Sequence, residues 1–344
     1  MIHVIREAIG RLLAGEALAE DEAAQVMEEI MAGQAEEAQI AAYLVALRLR
    51  GETVEVIAGS ARAMRAHALR VEARVEPLVD TCGTGGDGAG TINISTAAAL
   101  VAAGAGVAVA KHGNRGVSSP SGSADVLEAL GVRVDLEPDQ VRRCIEEAGI
   151  GFLFAPRYHP GMRFAGPTRR ALGIRTLFNV LGPLANPAGA DRQVTGVYAL
   201  EWVEPLAQVL DRLGCREAMV VHGLDGVDEL SISGPTQVVH LREGRLRPFR
   251  VEPEDVGLKR YPREAVRGGS PQENARRIEA ALEGERGAVR DVMLLNAAAA
   301  LVVAGQAEDL REGVARAAEA VDSGAARDRL ERLRRLAGAP EAVA

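Results

Sequence analysis

Five glycines fall between residues 81 and 90, in the run TCGTGGDGAG. A backbone that needs this much glycine is turning through left-handed conformations or lying close against a ligand. The apolar run Pro77, Leu78, Val79 leads into the loop, and Ser95 and Thr96 open an alanine-rich helical stretch that ends near Gly104 and Gly106. A second apolar run, Val107–Ala110, delivers Lys111, His112 and Asn114. The local order is therefore strand, glycine loop, helix, strand, cation. Loop N–H groups backed by a helix N-terminus make an anion site, so the stretch is read as a phosphate or pyrophosphate cradle.

The spelling of residues 83–88 matches G-x-G-x-x-G. A dinucleotide fold would place an acidic residue about 20 residues further on, to hold a ribose hydroxyl. Lys111 and His112 end the second strand instead, and a cation there suits phosphate. The Walker pattern fails as well, because His112 follows Lys111 and the required glycine spacing is absent. Lysine is scarce in this chain, at positions 111 and 259 only, and arginine does nearly all other cationic work. Keeping a compact ammonium in the anion loop points to a specific need for it.

Residues 1–72 read as helices only, with apolar residues at helical spacing (Val4, Ile5, Ala8, Ile9, Leu12, Leu13) and further helices from Glu20, over 36–50 and over 53–69. From residue 75, short β-branched runs alternate with helices: strands at Gly151–Ala155, Val194–Leu200 and 217–221, and helices at 124–130, 141–148, 203–213, 271–283, 290–304 and 308–322. Residues 231–251 read as an antiparallel hairpin turning at Gly244. Residues 156–190 break the alternation with five prolines, and part of this insert, about 165–190, is expected to return to the helices. The expected fold is α/β: a small all-helical domain plus a large α/β domain with a mostly parallel central sheet covered by helices. The boundaries expected are 1–72 with the insert for the small domain, and 73–164 with 191–344 for the large one.

A net charge of -8 argues against a nucleic-acid binder. The three cysteines are scattered and show no metal spacing, which suits a reduced, cytoplasmic protein. No signal-like or membrane-spanning apolar run is visible, so no membrane partner is expected.

Several segments in fixed order carry a resemblance. They are GTGGD at 83–87, NIST at 93–96, KHGNRGVSS at 111–119, SGSADVLEALG at 121–131, the stretch from Arg169 through LGIRT and FNVLGPLANP, and VDE at 227–229. Together they closely resemble the anthranilate phosphoribosyltransferases. The resemblance implies transfer of the 5-phosphoribosyl group from 5-phosphoribosyl 1-pyrophosphate to anthranilate, with Mg2+, by a homodimer paired through its small domains. It implies that Gly83, Gly85, Gly86, Asp87, Thr91, Asn93, Ser95, Thr96, Lys111, Asn114, Ser118, Ser119 and Ser123 hold the phosphoribosyl pyrophosphate. It places anthranilate among Gly83, His112, Asn114 and Arg169, with the guanidinium on the carboxylate. Magnesium falls to Ser95, Asp228 and Glu229, since that ion takes one or two carboxylates besides phosphate oxygens.

His112 is expected to position the acceptor rather than act as a base, because an aromatic amine is already neutral at pH 7. Tyr158 stands where many members of the family carry histidine, and Gly161 where alanine is common; both touch the expected edge of the acceptor channel. Two other readings compete. A pyrimidine-nucleoside phosphorylase would share the fold and the lysine loop but would not need Asp228, Glu229 or Arg169. A non-catalytic, nucleic-acid-binding paralogue would lose the carboxylate pair and gain a basic face.

Overall fold

A computed structural model describes residues 4–116 and 119–340. Ser118 lies outside the described residues. Four helices open the chain: Val4–Ala14, Glu20–Met31, Glu37–Arg50 and Val54–Ala66. Thr53 caps the last of them by accepting from Val56 N at 3.3 Å. The helix Met162–Leu172 and the short helix Phe178–Leu181 rejoin this bundle, and Ala165, Leu177, Phe178 and Leu181 share one buried cluster with Ile5, Met27, Tyr43, Leu44 and Ile57.

The rest of the chain builds a seven-stranded sheet in the order β3-β2-β1-β4-β5-β6-β7. Its strands are β1 Leu78–Asp80, β2 Ala108–Gly113, β3 Ile150–Phe154, β4 Arg192–Gly196, β5 Glu217–Gly223, β6 Thr236–Arg242 and β7 Arg245–Val251. The first five run parallel, and β6 and β7 form an antiparallel edge. Successive side chains of a strand point to opposite faces. On β5, Met219 and Val221 accordingly face the cluster formed with helices Ile94–Gly104 and Ala288–Val303. Ala218 and Val220 face the other way, into the cluster that contains the bundle and the helix Val203–Arg212. One face of the sheet is thus buried partly by the small helical domain itself.

Several expected boundaries move. The strand expected to end at Lys111 and His112 is Ala108–Gly113, with those two residues paired with Phe152 and Leu153 of β3. The strand expected at Val194–Leu200 is Arg192–Gly196. The helix expected over 124–130 is Ser123–Ala129; Gly122 N donates to Asp125 Oδ2 at 2.8 Å, and Ser123 Oγ donates to Asn114 O at 3.1 Å. A last helix, Ala325–Ala337, follows the one expected to end the chain.

Candidate active site

The chain winds outward from β1 through β2 to β3, then restarts at β4 beside β1 and continues to β5. The direction of winding reverses between β1 and β4, and ligands of open α/β sheets gather at such a point, beyond the strand ends. The glycine loop leaves β1 there. Gly85, Gly86, Gly88 and Gly90 all have φ between 63° and 76°, the left-handed region that other residues enter only under strain. Gly83 is glycine for a different reason. A Cβ on it would lie 2.9 Å from Gly196 O and 3.4 Å from Asp228 Oδ2.

The loop is pinned to the neighbouring strand ends. Thr84 N donates to Gly196 O at 2.8 Å, and Tyr198 N donates to Thr84 Oγ1 at 3.0 Å. Arg175 stacks on Tyr198, its guanidinium carbon 4.1 Å from the ring centre, and donates to Gly86 O. At β4's end, a Cβ on Gly196 would lie 1.4 Å from Asp228 O. Gly196→Ala must therefore displace the 227–229 loop. The expected result is a stability loss of about 3 kcal/mol, read by denaturant unfolding.

Lys111 sits at the centre and is 2% exposed. Its ammonium donates to Thr81 O at 3.2 Å, Thr81 Oγ1 at 3.3 Å and Ser95 Oγ at 3.2 Å. Thr81 Oγ1 in turn donates to Ser95 O at 3.1 Å. One cation therefore joins the end of β1 to the first turn of helix Ile94–Gly104. Ser95 N donates to Glu229 Oε1 at 3.2 Å, and Asp228 N donates to Asp87 Oδ2 at 3.1 Å. Three carboxylates, Asp87, Asp228 and Glu229, thus meet at the mouth of the loop. Burial first, then repulsion from Asp87 and Glu229, pushes Asp228 well above the usual carboxylate range. Burial also raises Glu229, although Lys111 works against the shift.

Behind these groups, Asp80 is fully buried at the end of β1. It accepts from His112 N at 3.1 Å and from Asn186 Nδ2 at 2.7 Å. Burial still raises it to about 6, against the pull of Lys111 and Asn186. Asp80, Cys82 and His112 bring one donor atom each within 4.8 Å of one another. That trio is a poor home for magnesium. Burial drives the Cys82 thiol far up, away from the thiolate a metal would need, and both Asp80 oxygens already accept hydrogen bonds. The oxygen-rich set at 87, 228 and 229, mutually repelling without a cation, fits a hard divalent ion.

His112 is buried in β2, with Nδ1 3.1 Å from Gly182 O. Its ring lies 5.1 Å from that of His159, centre to centre. Burial and His159 pull His112 down to about 3, and burial pulls His159 to about 4, so both imidazoles are neutral. Among the described residues, the Nε2 of each is buried without a partner.

Arg169, on helix Met162–Leu172, lies 5.0 Å over the Phe178 ring. Burial lowers its pKa, and among the described residues it forms no ion pair. Gly182, which meets His112, lies four residues beyond Phe178, so Arg169 and His112 border the same segment.

Several other expected residues also make contacts within the fold. Asn93 Oδ1 accepts from Ser121 Oγ and from Asn274 Nδ2, each at 3.0 Å. Asn114 Oδ1 accepts from Arg115 N at 2.7 Å, and Ser119 Oγ donates to Ser121 O at 3.1 Å. Thr91 bridges to Arg267, and Thr96 Oγ1 is buried with no partner among the described residues. Three contributors escaped the sequence reading: Arg175, Asn186 and Asn274. Their hints were slight: Arg175 lies inside the LGIRT segment and Asn186 inside FNVLGPLANP.

The chain's two parts match two family descriptions: residues 6–68 "Glycosyl transferase family, helical bundle domain" and residues 75–327 "Glycosyl transferase family, a/b domain". Anthranilate phosphoribosyltransferase of Xanthobacter autotrophicus is 56% identical over 325 residues, which covers 94% of each chain. The crystal structure of the Thermus thermophilus anthranilate phosphoribosyltransferase superimposes with a TM-score of 0.91 at 50% identity, covering 96% of this chain and 98% of that one. The Saccharomyces cerevisiae enzyme in complex with PRPP and Mg superimposes with a TM-score of 0.90 at 29% identity, covering 98% of each.

Proposed function

We propose how the site works from one premise: the chain belongs to the anthranilate phosphoribosyltransferases. It transfers the 5-phosphoribosyl group of 5-phosphoribosyl 1-pyrophosphate to the amine of anthranilate, giving N-(5-phosphoribosyl)anthranilate and pyrophosphate, a step of tryptophan biosynthesis. The observation that carries the acceptor half is Arg169, a partly buried guanidinium stacked on Phe178 without a counter-charge. A planar aromatic acid supplies both the missing carboxylate and a flat partner.

In this reading the glycine loop and the first turn of helix Ile94–Gly104 receive the pyrophosphate through backbone N–H groups. Lys111 keeps that turn and the end of β1 in register and adds positive charge behind the phosphates. Asn114, Ser118, Ser119 and Ser123 complete the phosphoribosyl side. Asp228 and Glu229, with Ser95 beside them, would hold magnesium, which when bound neutralises charge on the departing pyrophosphate. His112 stays neutral and lines the acceptor side, positioning the anthranilate rather than taking its proton. The C1–oxygen bond to pyrophosphate loosens toward an oxocarbenium-like state as the C1–nitrogen bond forms. The N-aryl ammonium formed as the C1–nitrogen bond closes is strongly acidic, and the departing pyrophosphate takes its proton, so no strong protein base is needed.

The test mixes the protein with magnesium and both substrates and follows loss of anthranilate fluorescence. Arg169→Gln is expected to raise KM for anthranilate about 100-fold, in the range for an unpaired, partly buried carboxylate, while KM for phosphoribosyl pyrophosphate stays within about twofold. Equal damage to both constants would place Arg169 elsewhere. Phosphorolysis of uridine or thymidine, with no use of phosphoribosyl pyrophosphate, would favour the phosphorylase reading instead.

The small domain, residues 1–72 with the insert near 165–190, is read as the homodimer surface of a cytoplasmic enzyme. Leu13 and Leu49 support this reading, being 77% and 81% exposed on the bundle, and among the described residues no helix is long and apolar enough to cross a membrane. Leu13→Glu with Leu49→Glu is expected to shift the sedimentation of the protein from dimer to monomer. An unchanged dimer would move the interface off this face.

A further inference from the structure

The sheet opens beside the site. β1 pairs with β2 through Leu78 with Ala108 and Val79 with Val109, and then turns away into the glycine loop. β2 continues along β3 as far as Gly113. From Ala110 on, among the described residues, its other edge faces no strand, and buried backbone groups left there need partners. Two side chains supply them. Asn186 Nδ2 donates to Ala110 O at 2.8 Å, and Asp80 Oδ1 accepts from His112 N at 3.1 Å. Asn186 Nδ2 also donates to Asp80 Oδ2 at 2.7 Å, which joins the two. Asp80 is 0% exposed and Asn186 4%. Ala110 O and His112 N flank Lys111, and they are the pair that one residue of a parallel neighbour strand would serve. A carboxylate and an amide thus stand in for the missing strand, and the glycine loop can leave the sheet without orphaning those groups.

The N–H that Asp80 accepts belongs to the peptide that joins Lys111 to His112. Neighbouring side chains of a strand point to opposite faces. Lys111 accordingly reaches Thr81 and Ser95, on the phosphate side, while His112 Nδ1 meets Gly182 O, on the acceptor side. Asn186 comes from the segment that carries Gly182. That segment is anchored on both domains: Leu184 O accepts from Arg65 Nε at 2.6 Å, and Pro183 O accepts from Gln193 Nε2 at 2.5 Å. Ala188 N donates to Asn186 Oδ1 at 2.8 Å, which fixes the orientation of the amide.

We propose that Asn186, acting through Asp80, is a positioning residue: it holds the Lys111–His112 peptide so that the phosphoribosyl group and the acceptor meet in line. The alignment rests on the reaction proposed above; the hold on the peptide does not. Each substrate keeps its own direct contacts when the pair is broken, so the damage falls on the step in which the two meet.

Asn186→Leu removes both donated bonds at similar volume. It is expected to lower kcat about 100-fold, while KM for phosphoribosyl pyrophosphate and KM for anthranilate each stay within about threefold. Asn186→Ser keeps one donor. It is expected to lower kcat about tenfold with both KM values again unmoved, and it carries the test if leucine prevents folding. Hydrogen exchange read by mass spectrometry tests the hold without any turnover. In either variant, residues 108–113 are expected to exchange about tenfold faster relative to residues 217–223 than in the natural protein. Unchanged relative exchange overturns the hold, whatever the reaction. Faster exchange with an unmoved kcat, or with both KM values rising in step with the loss of kcat, overturns the positioning role and leaves Asn186 a packing residue. Absence of turnover in the natural protein would overturn the reaction proposed above, with the hold still judged by exchange.

Discussion

In magnesium-free buffer near pH 8, Asp228→Asn and Glu229→Gln are expected to melt above the natural protein, by about 2 °C for a gain of about 1 kcal/mol. Both are nonetheless expected to lose turnover about 100-fold or more, since the cation they hold supplies several kcal/mol of charge stabilisation. The stabilising half follows from the neighbourhood. Asp87, Asp228 and Glu229 face one another, and burial with mutual repulsion raises Asp228 and takes Glu229 to about 7. A carboxylate whose folded pKa lies above its unfolded value costs stability in full above the folded pKa. The cost is relieved as pH falls toward the unfolded value near 4. The gain in Tm should therefore be largest at pH 8 and fade toward pH 5. Saturating magnesium should reverse the order, because it stabilises only the protein that binds it. Differential scanning calorimetry at the two pH values, with and without the ion, checks all of this. A variant that melts below the natural protein at pH 8 would mean that the carboxylates serve the fold rather than the ligand.

That trade between stability and ligand marks which parts of the site were legible in the sequence. Gly85, Gly86, Gly88 and Gly90 announced themselves because each needs a positive φ. The adjacent carboxylates were visible as a pair at a strand end. Lys111 was visible as a cation at a strand end, but its burial was not, because lysine is rarely fully buried. Here Thr81, Ser95 and nearby acids replace its water. The contacts that hold the site together were not legible. Asn186 reaches Asp80 across 106 residues, Asn274 reaches Asn93 across 181, and Arg175 reaches Gly86 across 89. Each is an ordinary polar residue in its local sequence, and only the chain crossing makes it a partner. The helix Ala325–Ala337 was missed for the opposite reason. Its buried face is only Ala326, Leu330, Leu333 and Ala337, and arginines crowd the rest.

Lys111→Met is expected to cost more stability than any other single change at the site, about 3–5 kcal/mol, the usual result of stripping one partner from a buried charge cluster. Methionine matches the length of the lysine stem, so lost packing contributes little. What disappears is the donor to Thr81 O, Thr81 Oγ1 and Ser95 Oγ, and the positive charge that holds down the pKa of both Asp80 and Glu229. Without it, both carboxylates rise further above their unfolded values. Their cost then applies above the new folded pKa and is relieved on acidification. The stability deficit of the variant, measured by denaturant unfolding, should be largest at pH 8 and clearly smaller at pH 5. Lys111→Arg separates the two duties. It restores the charge, and so most of the pH dependence, but a forked guanidinium cannot reproduce the three convergent contacts of an ammonium. Binding of phosphoribosyl pyrophosphate should therefore stay weak in Lys111→Arg even where the fold recovers. A deficit of equal size at both pH values would show that Lys111 acts through its hydrogen bonds to β1 and Ser95 alone, and that the carboxylates at 80 and 229 do not depend on it for their charge.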